Sequence, residues 1–352
     1  MLPLLCLATL HQLQSPITLK VDSKPATVES RMAFHHVPGC SVIEIRNFMV
    51  VRKLNFGRTA AFRPAQVTDD TLFPLGQLSQ PIAHAMVLKA VENRTLDLDS
   101  PVRTKLKRYT PPKWGTELTL RHLLTGRGGY TMPKYMGFNP PETAPDLIAE
   151  LQAEPVASDP GTKWHRSPVN VTVMQVLLED VTGKKVQDLL PGVFGKGSAQ
   201  YSANPPDRDF VRNVKGHDEL GFPVPLGANT YPELAATGLW STSGQFARFL
   251  IQLMKCQTGR ATSPLRPETA ALMFAPIETE DEDGKVSRNE AAAFGSMTMG
   301  DKKLMLRGGA NEGYYCQTWF MPEQGNAVIV FTNRDLAWRF ANEVRDAVVG
   351  GW

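Results

Sequence analysis

Two β-rich runs, residues 37–45 and 49–57, flank a short polar turn and predict a hairpin near the start of the chain. From Pro81 the period changes. Ile82, Ala85, Met86 and Ala90 recur at helical spacing as far as Asn93, and Pro81 suits a first turn, where its missing N–H costs nothing. The alternating Leu and Asp of 96–99 predict a short, half-buried exit. A second helical run covers 173–182 and stops at Gly183, where a glycine at the C-terminal end suits a left-handed cap. Residues 185–235 are rich in Pro, Gly and Asn with weak periodicity; they predict a long irregular region, with His217 and Asp218 as surface polar residues. The acidic run 278–283 reads as a solvated loop. An apolar run at 327–333 predicts a strand, and a helix follows towards Trp352. No internal repeat or low-complexity tract interrupts this order.

The chain has 352 residues and 42% hydrophobic content, enough for a large core in one unit or two interleaved subdomains. Its 38 basic and 35 acidic residues give a net charge of only +3, evenly scattered. That balance argues against nucleic acid or an anionic membrane as partner. Cys6, Cys40, Cys256 and Cys316 are widely separated; they indicate no metal site, and their pairing is not readable from spacing. Residues 1–10 are apolar and about as long as a signal-peptide core, yet lack a basic start. Residues 1–30 therefore read as an N-terminal segment, a remnant of a signal peptide being one reading and a plain apolar segment the other. No run of 18 or more apolar residues predicts a membrane-spanning helix.

Four blocks carry a resemblance. Phe73-Pro74-Leu75-Gly76-Gln77-Leu78-Ser79-Gln80-Pro81, the run Leu118–Tyr130 with His122 and Gly126-Arg127-Gly128-Gly129, Pro160-Gly161-Thr162-Lys163-Trp164-His165-Arg166-Ser167-Pro168, and Leu306-Arg307-Gly308-Gly309-Ala310-Asn311-Glu312-Gly313 occur in order at plausible separations. Together they resemble the serine β-lactamase and penicillin-binding protein superfamily, in the branch of class C β-lactamases, DD-peptidases and esterases. The resemblance covers roughly residues 37–352. It implies an α+β fold, an antiparallel sheet flanked by helices, with one β-lactamase-related domain over 31–352 and a helical part, roughly 75–245, inserted between sheet parts. It also implies that His122 is structural and that Ser or Thr caps the helix after Trp240; Ser241 and Ser243 lack a Gly-x-Ser-x-Gly frame and read as capping residues.

The family's reactive positions are all changed. The Ser-x-x-Lys pair, one helical turn apart so that an amine can assist the hydroxyl, is replaced by Gln77 and Gln80. A carboxamide is neither nucleophile nor base at neutral pH. The Tyr and Asn of the second motif become Arg166 and Pro168, and the Lys or His of the last strand becomes Arg307. Guanidinium stays protonated to above about pH 12, and Pro offers no side-chain hydrogen bond. Ser79 is the one nearby hydroxyl, about 200° round the helix from Gln77 at 3.6 residues per turn, with nothing basic at 82 or 83; it reads first as a packing or capping serine and only weakly as a relocated nucleophile. Loss of nucleophile and base costs about 10⁶ in turnover, on the order of 8 kcal/mol of barrier.

The residues therefore predict a pseudoenzyme that uses Gln77, Gln80, Arg166, Arg307 and Arg127 to hold a small anionic or peptide-like ligand, or that meets a protein partner, with no cofactor and no metal. Two guanidiniums facing one cleft repel unless an anion separates them; the competing reading is that nearby acids, Glu312 among them, neutralise the arginines. A hydrolase or acyltransferase with rebuilt catalytic residues is the alternative function, and a purely structural module follows if the Pro-rich excursion 133–145 buries the pocket mouth. The resemblance favours a periplasmic or extracellular location over a cytoplasmic one. Oligomeric state stays open.

Overall fold

The computed structural model describes residues 17–133, 137–138, 143–206, 212–280 and 285–352. Its frame is an eight-stranded antiparallel sheet whose strands lie side by side in the order Met49–Gly57, Gly39–Arg46, Asn326–Thr332, Tyr314–Met321, Lys302–Asn311, Gly295–Met299, Val286–Ala291, Pro276–Glu280. The first hairpin supplies β3 (Gly39–Arg46) and β4 (Met49–Gly57), as the two early apolar runs predict. The C-terminal third supplies β8 (Pro276–Glu280), β9 (Val286–Ala291), β10 (Gly295–Met299), β11 (Lys302–Asn311), β12 (Tyr314–Met321) and β13 (Asn326–Thr332). A separate N-terminal hairpin, β1 (Thr18–Val21) with β2 (Lys24–Thr27), precedes them. A small sheet joins β5 (Phe73–Pro74) and β6 (Gln200–Tyr201) to β7 (Leu239–Ser241).

Helices cover both faces of the large sheet. On one face lie α1 (Val28–Phe34) and the terminal α7 (Trp338–Val349), packed over Cys40, Val42, Trp319, Val328 and Val330. On the other lie α2 (Ser79–Glu92), α3 (Leu120–Leu124), α4 (Val169–Thr182), α5 (Ser243–Gln257) and α6 (Pro267–Phe274), against Ile43, Ile45, Ile329 and Phe331. Side chains of β13 alternate between these two cores, so Ala327–Phe331 reads as an unbroken apolar run because both faces of the strand are covered.

Nearly every residue of α2 from Ser79 to Leu88 is buried, the pattern of a central helix surrounded by protein on all sides. Pro81 sits in its first turn, as predicted. The 3₁₀ turn Gly76–Leu78 leads into it and meets β11 at two opposed glycines. Gly76 has φ +52°, and a Cβ there would lie 2.6 Å from the Ala310 nitrogen; a Cβ on Gly309 would lie 1.9 Å from the Leu75 carbonyl oxygen. Backbone can approach backbone this closely only without side chains. That contact brings residues 77–80 alongside residues 307–310.

Two sequence expectations change. His217, read as a surface residue, is fully buried: its ring bonds to the Asn333 carbonyl at 2.8 Å and accepts from the Ala61 N–H at 3.0 Å. A ring with two well-placed backbone partners loses nothing by leaving water. The start of the acidic run is strand rather than loop, because Glu278 and Glu280 belong to β8, whose side chains still face solvent in alternation; residues 281–284 lie outside those described. Within 185–235, short helices at Val186–Leu189 and Pro191–Phe194 break up the irregular stretch. Part of the Pro-rich excursion, 134–136 and 139–142, lies outside the described residues. Cys40, Cys256 and Cys316 are buried free thiols, and among the described residues no helix is long and apolar enough to cross a membrane.

Candidate ligand cavity

A cavity of about 350 Å³ opens between α2, the loop before α4, and strands β9 to β11. Gln77, Gln80, Arg166, Pro168 and Arg307 all line it. Five positions spread over 230 residues of chain thus meet at one site. Arg127 and Ser79 do not line it. The Arg127 guanidinium instead donates to the Glu278 carbonyl at 2.7 Å and, at 3.4 Å, to the Gly161 and Thr162 carbonyls, bracing the loop from behind. Ser79 is fully buried; its hydroxyl donates to the Gly76 carbonyl at 2.6 Å and accepts from the Leu239 N–H at 3.0 Å. The first bond closes the turn into α2 and the second ties the α2 start to β7.

The two glutamines are held in defined orientations. Gln77 Oε1 accepts from the Ala310 N–H at 2.9 Å, and Gln80 Oε1 accepts from the Arg307 guanidinium. Each of those partners can only donate, so the oxygen of each amide faces it and the NH₂ group is turned away. No group among the described residues accepts from either NH₂ group. Arg307 completes this wall: its Nε lies 3.4 Å from the Gln77 carbonyl oxygen. Burial, helped by the positive charge of Arg166 and opposed by Glu290, pushes the Arg307 pKa down from 12.5 to about 10. Its direct partners are neutral oxygens, and no carboxylate among the described residues lies within ion-pair distance.

Arg166 is mostly exposed at the mouth and is paired with Glu290 of β9. Glu312, expected as a neutralising acid, is elsewhere and accepts from the Asn229 amide at 2.6 Å. Its position one residue past β11 turns it towards the 229–231 loop. Glu290 is the acid the sequence reading missed; it sits in a stretch with no motif, and only the pairing of β9 with β10 carries it to the cavity.

His84 is a second omission. It stands one turn after Gln80 on α2, lines the cavity and is buried, with Nδ1 at 2.7 Å from the Gln80 carbonyl oxygen. Burial lowers its pKa to about 4, so the ring is neutral at pH 7. The i,i+4 spacing from Gln80 was a signal available in the sequence. Trp164, His165 and Ser167 form the opposite wall, where the Ser167 hydroxyl donates to the Thr131 carbonyl at 2.6 Å. His122 caps α3 reciprocally with Thr119 and packs over Gly161, a structural role.

In this arrangement a half-buried cation and two oriented amide NH₂ groups face one space. No hydroxyl in it stands beside an amine. Among the described residues no group of His, Cys, Asp and Glu side chains could hold a metal ion.

Comparison with known proteins places this geometry among relatives. The family model described as Beta-lactamase matches residues 25–349. Esterase EstB of Burkholderia gladioli is 23% identical over 308 residues, covering 75% of this chain and 78% of its own. Among solved structures, the octameric penicillin-binding protein homologue from Pyrococcus abyssi superposes with a TM-score of 0.73 at 19% identity, over 92% of this chain and 77% of that one. A penicillin binding protein from Bacillus halodurans gives 0.73 at 17% identity, over 92% and 99%. A class C beta-lactamase mutant gives 0.73 at 16%, over 92% and 95%. At these identities the structural likeness shows the α+β fold, an antiparallel sheet flanked by helices.

Proposed function

The chain belongs to the beta-lactamase family, and from that premise we propose that it is a non-acylating member that binds a small anionic ligand, a carboxylate or a phosphate ester, in the cavity around Arg307. The observation that carries this reading is the state of Arg307: a half-buried guanidinium whose hydrogen bonds among the described residues go to amide and carbonyl oxygens, with no carboxylate at ion-pair distance. A buried charge without a counter-charge is costly. An anion accepting from the guanidinium and from the amide groups of Gln77 and Gln80 would supply one, and charge-assisted bonds of this kind are about twice as strong as neutral ones.

The relatives are hydrolases, and a rebuilt hydrolase is the competing reading. Against it stands the chemistry of the site. The side chain in the turn before α2 is an amide bonded to Ala310; Ser79 is buried with both its bonds spent on backbone, and the hydroxyl of Ser167 in the cavity wall donates to the Thr131 carbonyl. A nucleophile needs a base within hydrogen-bond reach, and the His84 ring is engaged by the backbone of Gln80, Leu124 and Ala292.

Intact mass after incubation with a fluorescent penicillin and with a nitrophenyl ester tests the first half of the proposal; no adduct and no ester turnover are expected. Calorimetric titration with N-acetyl-D-alanine and with a phosphate monoester tests the second half, with binding expected for the wild type and lost in Arg307→Met. An acyl adduct on any serine lining the cavity, or equal anion binding by the variant, would overturn the reading.

A further inference from the structure

Six large apolar side chains, Phe34, Phe62, Leu220, Phe222, Leu226 and Leu336, stand between 46% and 75% exposed. They come from four distant stretches of chain, yet those stretches meet at one end of the large sheet. The junction is the buried His217. Its ring accepts from Ala61, beside Phe62, and bonds to the Asn333 carbonyl. Its own carbonyl accepts from the Asp335 N–H, next to Leu336. The turn that follows it, closed by Asp218 and Phe222, carries Leu220 and Phe222 and packs Gly221 against His36, two residues after Phe34.

We infer that this end of the sheet is a self-association face on which a second copy of the chain docks. At roughly 200 Å² per large side chain, with about three-fifths of each exposed on average, the six present roughly 700 Å² of apolar surface. The largest apolar patch of a typical monomer is roughly 300–600 Å², whereas each partner in a standard interface contributes roughly 800 Å². The patch alone therefore supplies most of what a stable pair needs, and the polar rim supplies the rest. Charges of both signs border it: Lys215 and Arg334 beside Asp218, Glu219 and Asp335, with Arg334 bonded to the Glu219 carbonyl at 2.7 Å. A mixed rim suits a two-fold contact, in which each patch meets its own copy and every cation finds an anion across the axis. A nucleic acid or an anionic membrane would require one sign. This inference is independent of the proposed ligand cavity, whose lining residues it does not use.

Sedimentation equilibrium over a concentration series, on the full chain and on a chain beginning at Ile17, tests it. Both chains are expected to dimerise, with a dissociation constant at least about tenfold larger in the double variant Leu220→Asp, Phe222→Asp, as for a truncated central anchor. Both residues are exposed, and near-UV circular dichroism checks that the variant folds. Val286→Asp, an exposed apolar residue on β9, should leave the dissociation constant unchanged. A wild-type chain that stays monomeric, or a dimer indifferent to the double variant, would overturn the inference. So would dimerisation confined to the shortened chain, because the face would then belong to residues 1–16.

Discussion

Replacing Arg307 with Met removes the cation while keeping much of the stem's volume, and the structure sets the size of the effect. The depression of its pKa from 12.5 to about 10 corresponds to roughly 3 kcal/mol of disfavoured charge at 1.36 kcal/mol per pH unit. One flank of the side chain reaches solvent, which screens this to about 1–2 kcal/mol. The sign follows from linkage. Between pH 10 and 12.5 the unfolded chain holds the proton more tightly than the folded one, so the penalty is fully in force at neutral pH and is relieved only above about pH 10. The two hydrogen bonds to Gln80 and Gln77 return about 1 kcal/mol each. Without ligand, Arg307→Met is therefore expected to change stability by no more than about 1 kcal/mol, whereas breaking a buried ion pair costs about 3–5 kcal/mol. With anion at a hundred times its dissociation constant, the wild type gains about 2.7 kcal/mol. That is a rise in melting temperature of about 4 °C, and the variant should show none. Urea denaturation at pH 7 and differential scanning fluorimetry with and without carboxylate measure the two quantities. A loss of 3 kcal/mol in the ligand-free variant would mean Arg307 is a paired structural cation, and an undiminished anion shift would mean the ligand binds elsewhere; either result refutes the argument.

Three further outcomes are expected. Gly309→Ala places a Cβ 1.9 Å from the Leu75 carbonyl oxygen and should destabilise by about 3 kcal/mol or more, read as a lowered urea midpoint; a neutral result would show that β11 and the α2 turn are not in backbone contact. Ser79→Ala leaves the buried Leu239 N–H without its acceptor and should cost about 1–3 kcal/mol while leaving reactivity towards penicillin unchanged from zero. His84, lowered by burial from 6.5 to about 4, takes up its proton in the unfolded chain first. Stability should be full above pH 6.5 and fall as pH drops towards 4, by about 3 kcal/mol from this residue. His84→Gln should flatten the slope of denaturation free energy against pH across that window, and an unchanged slope would mean the ring is not buried neutral.

The extent to which the site was readable varied with how local its signals are. Gln77, Gln80, Arg166, Pro168 and Arg307 could be grouped before any coordinates, because each sits in a short block that resembles a motif of the family and the resemblance implies that those blocks border one pocket. Glu290 could not. Nothing around it is periodic or conformationally restricted, and it reaches Arg166 only through strand pairing. Arg127 failed for the converse reason: its motif placed the loop correctly, but a long side chain goes where acceptors are, and three backbone carbonyls outside the cavity claimed it.

By itself, the order of apolar and polar residues determined the early hairpin, the buried helix after Pro81, the helix that ends at Gly183 and the closing strand and helix, since each rests on interactions within a few residues. The resemblance of the block around Gly76 added that an amide, Gln77, stands where the family's motif carries a serine. Only the tertiary structure decided which acid neutralises Arg166, that Arg307 has no ion-pair partner among the described residues, and that His217 is an interior junction at which distant stretches of chain meet. These are matters of distance between residues far apart in the chain, and distance through space is set by how the two cores pack against the sheet.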